Sequence, residues 1–212
     1  MTPAAAWTAR RAAHEARVDA LLGDHRARAA AGAKHPVLDF LFTYYSFRPS
    51  QLRRWHPGIG TVLTGPDARE YLDYSGYQAA PDGVTVDPRQ LARRRGTVEF
   101  VAELLSETAT RQPHLGCFGL LEWAMVYRAD EVRHEAVPLR LGQAGTDAVV
   151  DSMSLRCTHF DAYRFFTPEA VPRNALLLDR AAQRRAEQPG CHHAGMDLYK
   201  RCYKLIPLTD SD

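Results

Sequence analysis

The chain has 212 residues, 45% hydrophobic and 25% charged, with 27 basic against 25 acidic residues and a formal net charge of +2. That length fits one domain with a sizeable core, and the composition excludes a collagen-like, coiled-coil or disordered chain. No run reaches the roughly 18 apolar residues that a membrane span needs.

Near-neutral charge neither announces nor excludes a nucleic-acid partner. Within the basic set, however, 24 residues are Arg and only Lys34, Lys200 and Lys204 are Lys. Arg is the better bidentate partner for phosphate, although a GC-rich coding sequence produces the same abundance of Arg and Ala. Cys117, Cys157, Cys191 and Cys202 form no CxxC pair, which points to free thiols in a reducing cytoplasm. The N-terminal stretch lacks the apolar run of a secretory signal, and Glu15, Asp19 and Asp24 oppose a transit peptide.

In chain order, residues 4–31 read as one helix, because Trp7, Arg11, His14, Val18, Leu21, Leu22 and His25 recur on one face. The stripe is thin in large apolar residues, so a peripheral helix over 1–34 is expected. Residues 35–49 form the most aromatic part; Pro36 suits a helix start and Pro49 an end. A short helical turn over 50–55, a strand over 59–64 and a short helix over 67–72 follow, then a loop over 75–87. Asp87-Pro88-Arg89-Gln90 is a strong helix start. Gly116-Cys117-Phe118-Gly119 leads into a helix through Arg128. Residues 132–141 and 153–161 read as strands joined by 142–151. Residues 172–189 are irregular, and 191–204 form a final helix. Helices outnumber strands without regular alternation, which gives α+β: a mostly helical single domain over 35–212 with a small antiparallel sheet.

Four groups of residues are candidates for chemistry. Glu122 shares a helix face with Phe118, Leu121 and Met125. A carboxylate there is either a general acid or base or the partner of a buried Arg or helix end. His159 and Asp161 fall on one face of an extended strand, and His134 or Glu135 could lie across from them. That makes either a divalent-metal site, with His193 as a further ligand, or a His oriented by Asp161. In the final helix, His193, Asp197 and Lys200 or Lys204 share a face, as a lowered-pKa lysine site or a solvated ion pair. Arg48, Arg53 and Arg54 beside Trp55 and His56 combine phosphate-binding cations with a stacking face. Arg93-Arg94-Arg95 adds a second basic run. The other reading of the first cluster is a solvated surface with Trp55 in the core.

The blocks HPVLDFLFTYYSFRPSQLRRWHPG, GCFGLLEWAMVYR, RHEAVPLRLG, CTHFDAYRFFTPEAVPRN and QPGCHHAGMDLYKRCYKL resemble successive blocks of an actinobacterial family labelled 3-methyladenine DNA glycosylase. The resemblance runs from about residue 35 onward, and similar proteins continue into a further C-terminal helical region, which makes this chain short for the family. It implies a cytoplasmic DNA repair enzyme of base excision that hydrolyses the N-glycosidic bond of alkylated purines such as 3-methyladenine. DNA is the implied partner, with no cofactor, no membrane and no obligate protein partner. Combined with the chemistry, the resemblance makes Glu122, Asp161 and His159 catalytic candidates. Tyr44, Tyr45, Trp55, Trp123 and Tyr127 become base-stacking candidates, and Arg48, Arg53 and Arg54 phosphate contacts. Two alternatives remain. One is a metal-dependent enzyme acting on a small molecule or nucleotide through His134, His159, Asp161 and His193; the other is a noncatalytic nucleic-acid-binding module.

Overall fold

The computed structural model describes residues 1–45, 47–132 and 138–212. The expected His134 and Glu135 lie outside the described residues, as do residues 133–137 of the strand expected over 132–141, whose described residues 138–141 are not strand. The architecture is mostly helical α+β with a small three-stranded antiparallel sheet. The chain divides into two compact units, one of residues 1–98 with 200–212 and one of residues 99–199.

The first unit begins with α1 (Ala4–Ala30), whose buried residues Trp7, His14 and Leu22 follow one stripe. Trp7 is fully buried, and its indole N–H donates to Thr64 O at 2.9 Å. It packs with Trp55, Leu63, Ala68, Tyr71 and Val84. Each buried indole removes on the order of 200 Å² from water, or roughly 5 kcal/mol of transfer free energy before chain entropy is subtracted.

α2 (Phe40–Tyr44) is much shorter than the helix expected over 35–49. His35 Nδ1 accepts from the N–H groups of Val37 and Leu38, and Asp39 accepts from the His35 N–H at 2.8 Å. These bonds cap a turn over residues 36–39, and regular helix begins only at Phe40. α3 (Pro49–Arg53) follows.

The sheet is ordered β1 (Val62–Leu63), β3 (Gly83–Val86), β2 (Tyr77–Ala80). The loop expected over 75–87 is therefore a hairpin, with Ala80 paired to Gly83. Pro81-Asp82-Gly83 supplies the turn, and Val84 and Val86 alternate inward. Gly83 has no substitute here: a Cβ would lie 1.9 Å from Leu63 O. Residues 208–212 return to this unit. Ser211 N–H donates to His56 O at 3.0 Å, Trp55 Nε1–H to Asp212 at 3.1 Å, and Arg10 pairs with Asp210 and Asp212.

α4 (Arg89–Thr110) starts where the Asp-Pro signal places it. Asp87 accepts from the Arg89 N–H at 2.9 Å, and Gly96 does not interrupt the helix. Within the second unit, the core gathers Leu120, Leu121, Ala124, Tyr127, Val150, Leu155, Cys157, Ala162 and Phe166. α5 (Leu120–Ala124) is shorter than expected. Left-handed backbone at Gly119 and Arg128 brackets it, and the Arg128 N–H is taken by Asp147 at 2.8 Å.

α6 (Gly142–Ser152) occupies the expected connection. Thr146 and Val150, one helical turn apart, are its buried face. The strand expected over 153–161 is not a ladder strand. Its period of two is real, since Leu155, Cys157 and His159 are each 1% exposed. A side chain replaces most of the partner strand: Asn174 accepts from Cys157 N–H at 2.7 Å and donates to Cys157 O at 3.0 Å. Among the described residues, its backbone pairing is confined to a Leu155–Asn174 bridge. α7 (Phe160–Tyr163), α8 (Gln183–Ala186) and α9 (His192–Leu205) complete the chain.

Candidate functional site

Two features of the second unit bring chemistry-bearing side chains together. The first is a buried cluster. His159 caps the N-terminus of α7, where its Nδ1 accepts from the Ala162 N–H at 3.2 Å. Its Nε2 faces Asp197 Oδ2 at 3.4 Å and Glu187 Oε2 at 3.6 Å. Glu187 ends α8 and Asp197 projects from α9. The three residues are 1%, 2% and 4% exposed. Among the described residues His159 Nε2 has no hydrogen-bond partner, whereas Glu187 also accepts from Gln183 Nε2 at 3.1 Å.

The second feature is an open groove of about 320 Å³ lined by Glu122, Trp123, Val126, Pro138, Leu139, Arg140, Leu141 and Thr146. Glu122 is not the buried carboxylate that its apolar neighbours imply. Its side chain is 60% exposed and meets His193 Nε2 at 3.2 Å. The Cys191 side chain, and after it Glu122, push the His193 imidazole up to about 9. The His193 ring lies 5.5 Å from the His159 ring. A larger cleft of about 550 Å³, lined by His114, Cys117, Arg156, Thr158 and Leu176 among others, has no carboxylate among its described lining residues.

The other candidates fall elsewhere. Asp161 does not join His159. It is 5% exposed and pairs with Arg180 at 3.5 Å and Arg164 at 3.7 Å. Tyr127 is 1% exposed, with its hydroxyl donating to Asp151 at 2.7 Å. In the first unit Trp55 is 1% exposed within the core. Stacking a base on Trp55 or Tyr127 would require their cores to open. Tyr44 is exposed and meets the half-buried Tyr45 edge-on at 4.8 Å.

Arg53 is held by Asp19 and Glu15. Arg48 is exposed and opens α3. Arg54 lies 3.7 Å over the Tyr74 ring. Arg54 also lines a polar pocket of about 270 Å³ with Arg94, Gln51, Gln90, His56 and Tyr203. One residue from each basic run therefore reaches the same place. Sequence reasoning found His159, His193 and Asp197 but missed Glu187, which sits in a polar run with no periodic signal. Comparison with protein-family models, curated proteins and solved structures returns no match.

Proposed function

We propose that the chain is a cytoplasmic N-glycosyl hydrolase acting on alkylated purines in DNA, with its reacting groups in the Glu122 groove. The observation that carries this reading is a carboxylate, Glu122, held by His193 in an open, largely apolar groove that Trp123 also lines. A cationic alkylpurine leaves as a neutral base once the N-glycosidic bond breaks with its electron pair on the base nitrogen. The positive charge then passes to the sugar, where the Glu122 carboxylate stabilises it. Glu122 also accepts the proton of the water that adds to C1′. The Trp123 face suits the flipped cationic base through stacking and cation–π attraction. His193 is a positioning residue that holds Glu122.

The test is release of free base from methylated duplex DNA. Glu122→Gln is expected to slow release about 10²- to 10⁴-fold with the fold intact, because the side chain is mostly solvent-facing. Trp123→Ala is expected mainly to raise KM. Unchanged release by Glu122→Gln would refute the assignment, and absence of release by the wild-type protein would refute the function.

A further inference from the structure

We infer that His159, Glu187 and Asp197 form a binding site for one divalent transition-metal cation. The site is separate from the Glu122 groove, and its test does not depend on the hydrolase reading. The decisive group is His159 Nε2, which is buried, without a hydrogen-bond partner among the described residues, and aimed between two carboxylates. At 3.4 and 3.6 Å the carboxylate oxygens stand beyond good hydrogen-bond distance. They stand instead near the ligand-to-ligand separation around a tetrahedral ion. Bonds of about 2.0–2.2 Å to nitrogen and oxygen place neighbouring ligands about 3.3–3.6 Å apart. The nearest ligand atoms of all three residues lie within 4.8 Å of one another.

The donor set selects the ion. One imidazole and two carboxylates suit Zn(II), Mn(II) or Fe(II), whereas Ca(II) and Mg(II) favour all-oxygen shells. Orientation is partly built in, since Gln183 holds the Glu187 carboxylate from one turn earlier on α8. The ring itself must change state. With Nδ1 accepting from Ala162 N–H, the neutral imidazole carries its proton on Nε2. A cation requires the Nε2 lone pair, so the proton moves to Nδ1. The Ala162 N–H then settles on its other acceptor, His159 O, already at 3.2 Å. The three ligands come from α7, the end of α8 and α9. At 4% exposure or less, they give the ion a bracing role within the second unit and no direct access to substrate.

The experiment uses the full chain stripped with a chelator, then titrated separately with Zn(II), Mn(II), Fe(II) without oxygen, and Co(II) as a spectroscopic probe. Expected are saturation at one ion per chain, a rise in Tm, and visible Co(II) bands. Asp197→Asn and Glu187→Gln are each expected to weaken binding at least 10-fold. The ¹⁵N shifts of His159 are expected to show loss of the Nε2 proton when Zn(II) binds. This reading uses the wild-type protein and decides the matter if a variant fails to fold. No saturable binding below millimolar concentration would overturn the inference, as would unchanged affinity in folded Asp197→Asn or a His159 ring that ignores Zn(II).

Discussion

Replacing His56 with Asn should flatten the acid limb of the stability profile. His56 is 5% exposed, and its Nδ1 meets the Tyr77 hydroxyl at 2.7 Å. Burial first, then Arg54 and His14, lowers its pKa from 6.5 to about 4. The unfolded chain therefore takes up a proton near pH 6.5 that the folded chain refuses until about pH 4. Stability from this group is complete above pH 6.5 and falls as pH drops through that window. The difference of 6.5 minus 4, at 1.36 kcal/mol per unit, amounts to about 3 kcal/mol. The Asn carboxamide keeps an acceptor for Tyr77 but does not titrate. Urea unfolding at pH 7.5, 5.5 and 4.0, followed by tryptophan fluorescence, measures both proteins. Wild type should lose about 3 kcal/mol more than His56→Asn across that range. A wild-type-minus-variant difference constant with pH to within about 0.5 kcal/mol would show that burial does not hold this ring neutral.

Three other outcomes follow from the packing. Asn174→Ala strips the Cys157 N–H of its acceptor and removes donors to Cys157 O and Leu176 O; a loss of about 2–4 kcal/mol is expected by chemical denaturation. Gly83→Ala drives a Cβ into Leu63 O, and should lower the urea midpoint by the equivalent of at least about 2 kcal/mol. Burial pushes the Cys157 thiol up to about 12, while Cys202 is exposed. Alkylation at pH 8, mapped by mass spectrometry, should therefore mark Cys202 quickly and Cys157 only after unfolding.

The helices with explicit end signals were legible from sequence. Asp87-Pro88 places the start of α4, and the stripe of Trp7, His14 and Leu22 gives α1 its extent. Elsewhere the local pattern was sound but its partner was out of view. The alternation through Leu155, Cys157 and His159 correctly marks an inward face, yet the complementary edge is largely one carboxamide, Asn174. The hairpin was hidden because Pro81-Asp82-Gly83 reads equally as loop and as turn. The same limit governs the candidate site. His193 and Asp197 share a helix face by spacing. Glu187 reaches His159 only through tertiary packing of a polar segment, and Trp55 joins a core of Trp7, Leu63 and Tyr71 with its indole N–H taken by Asp212, more than 150 positions away.

The return of residues 208–212 to Trp55, His56 and Arg10 sets an order of events during synthesis. Residues 99–199 are continuous, so that unit has its whole sequence once residue 199 has emerged from the ribosome. The other unit must wait. Trp55 meets its hydrogen-bond acceptor only when Asp212 arrives, over 150 residues later. At about 5–20 residues per second, that leaves Trp55 without its partner for on the order of ten seconds or more. During that interval a chaperone has its longest opportunity to act on the N-terminal residues.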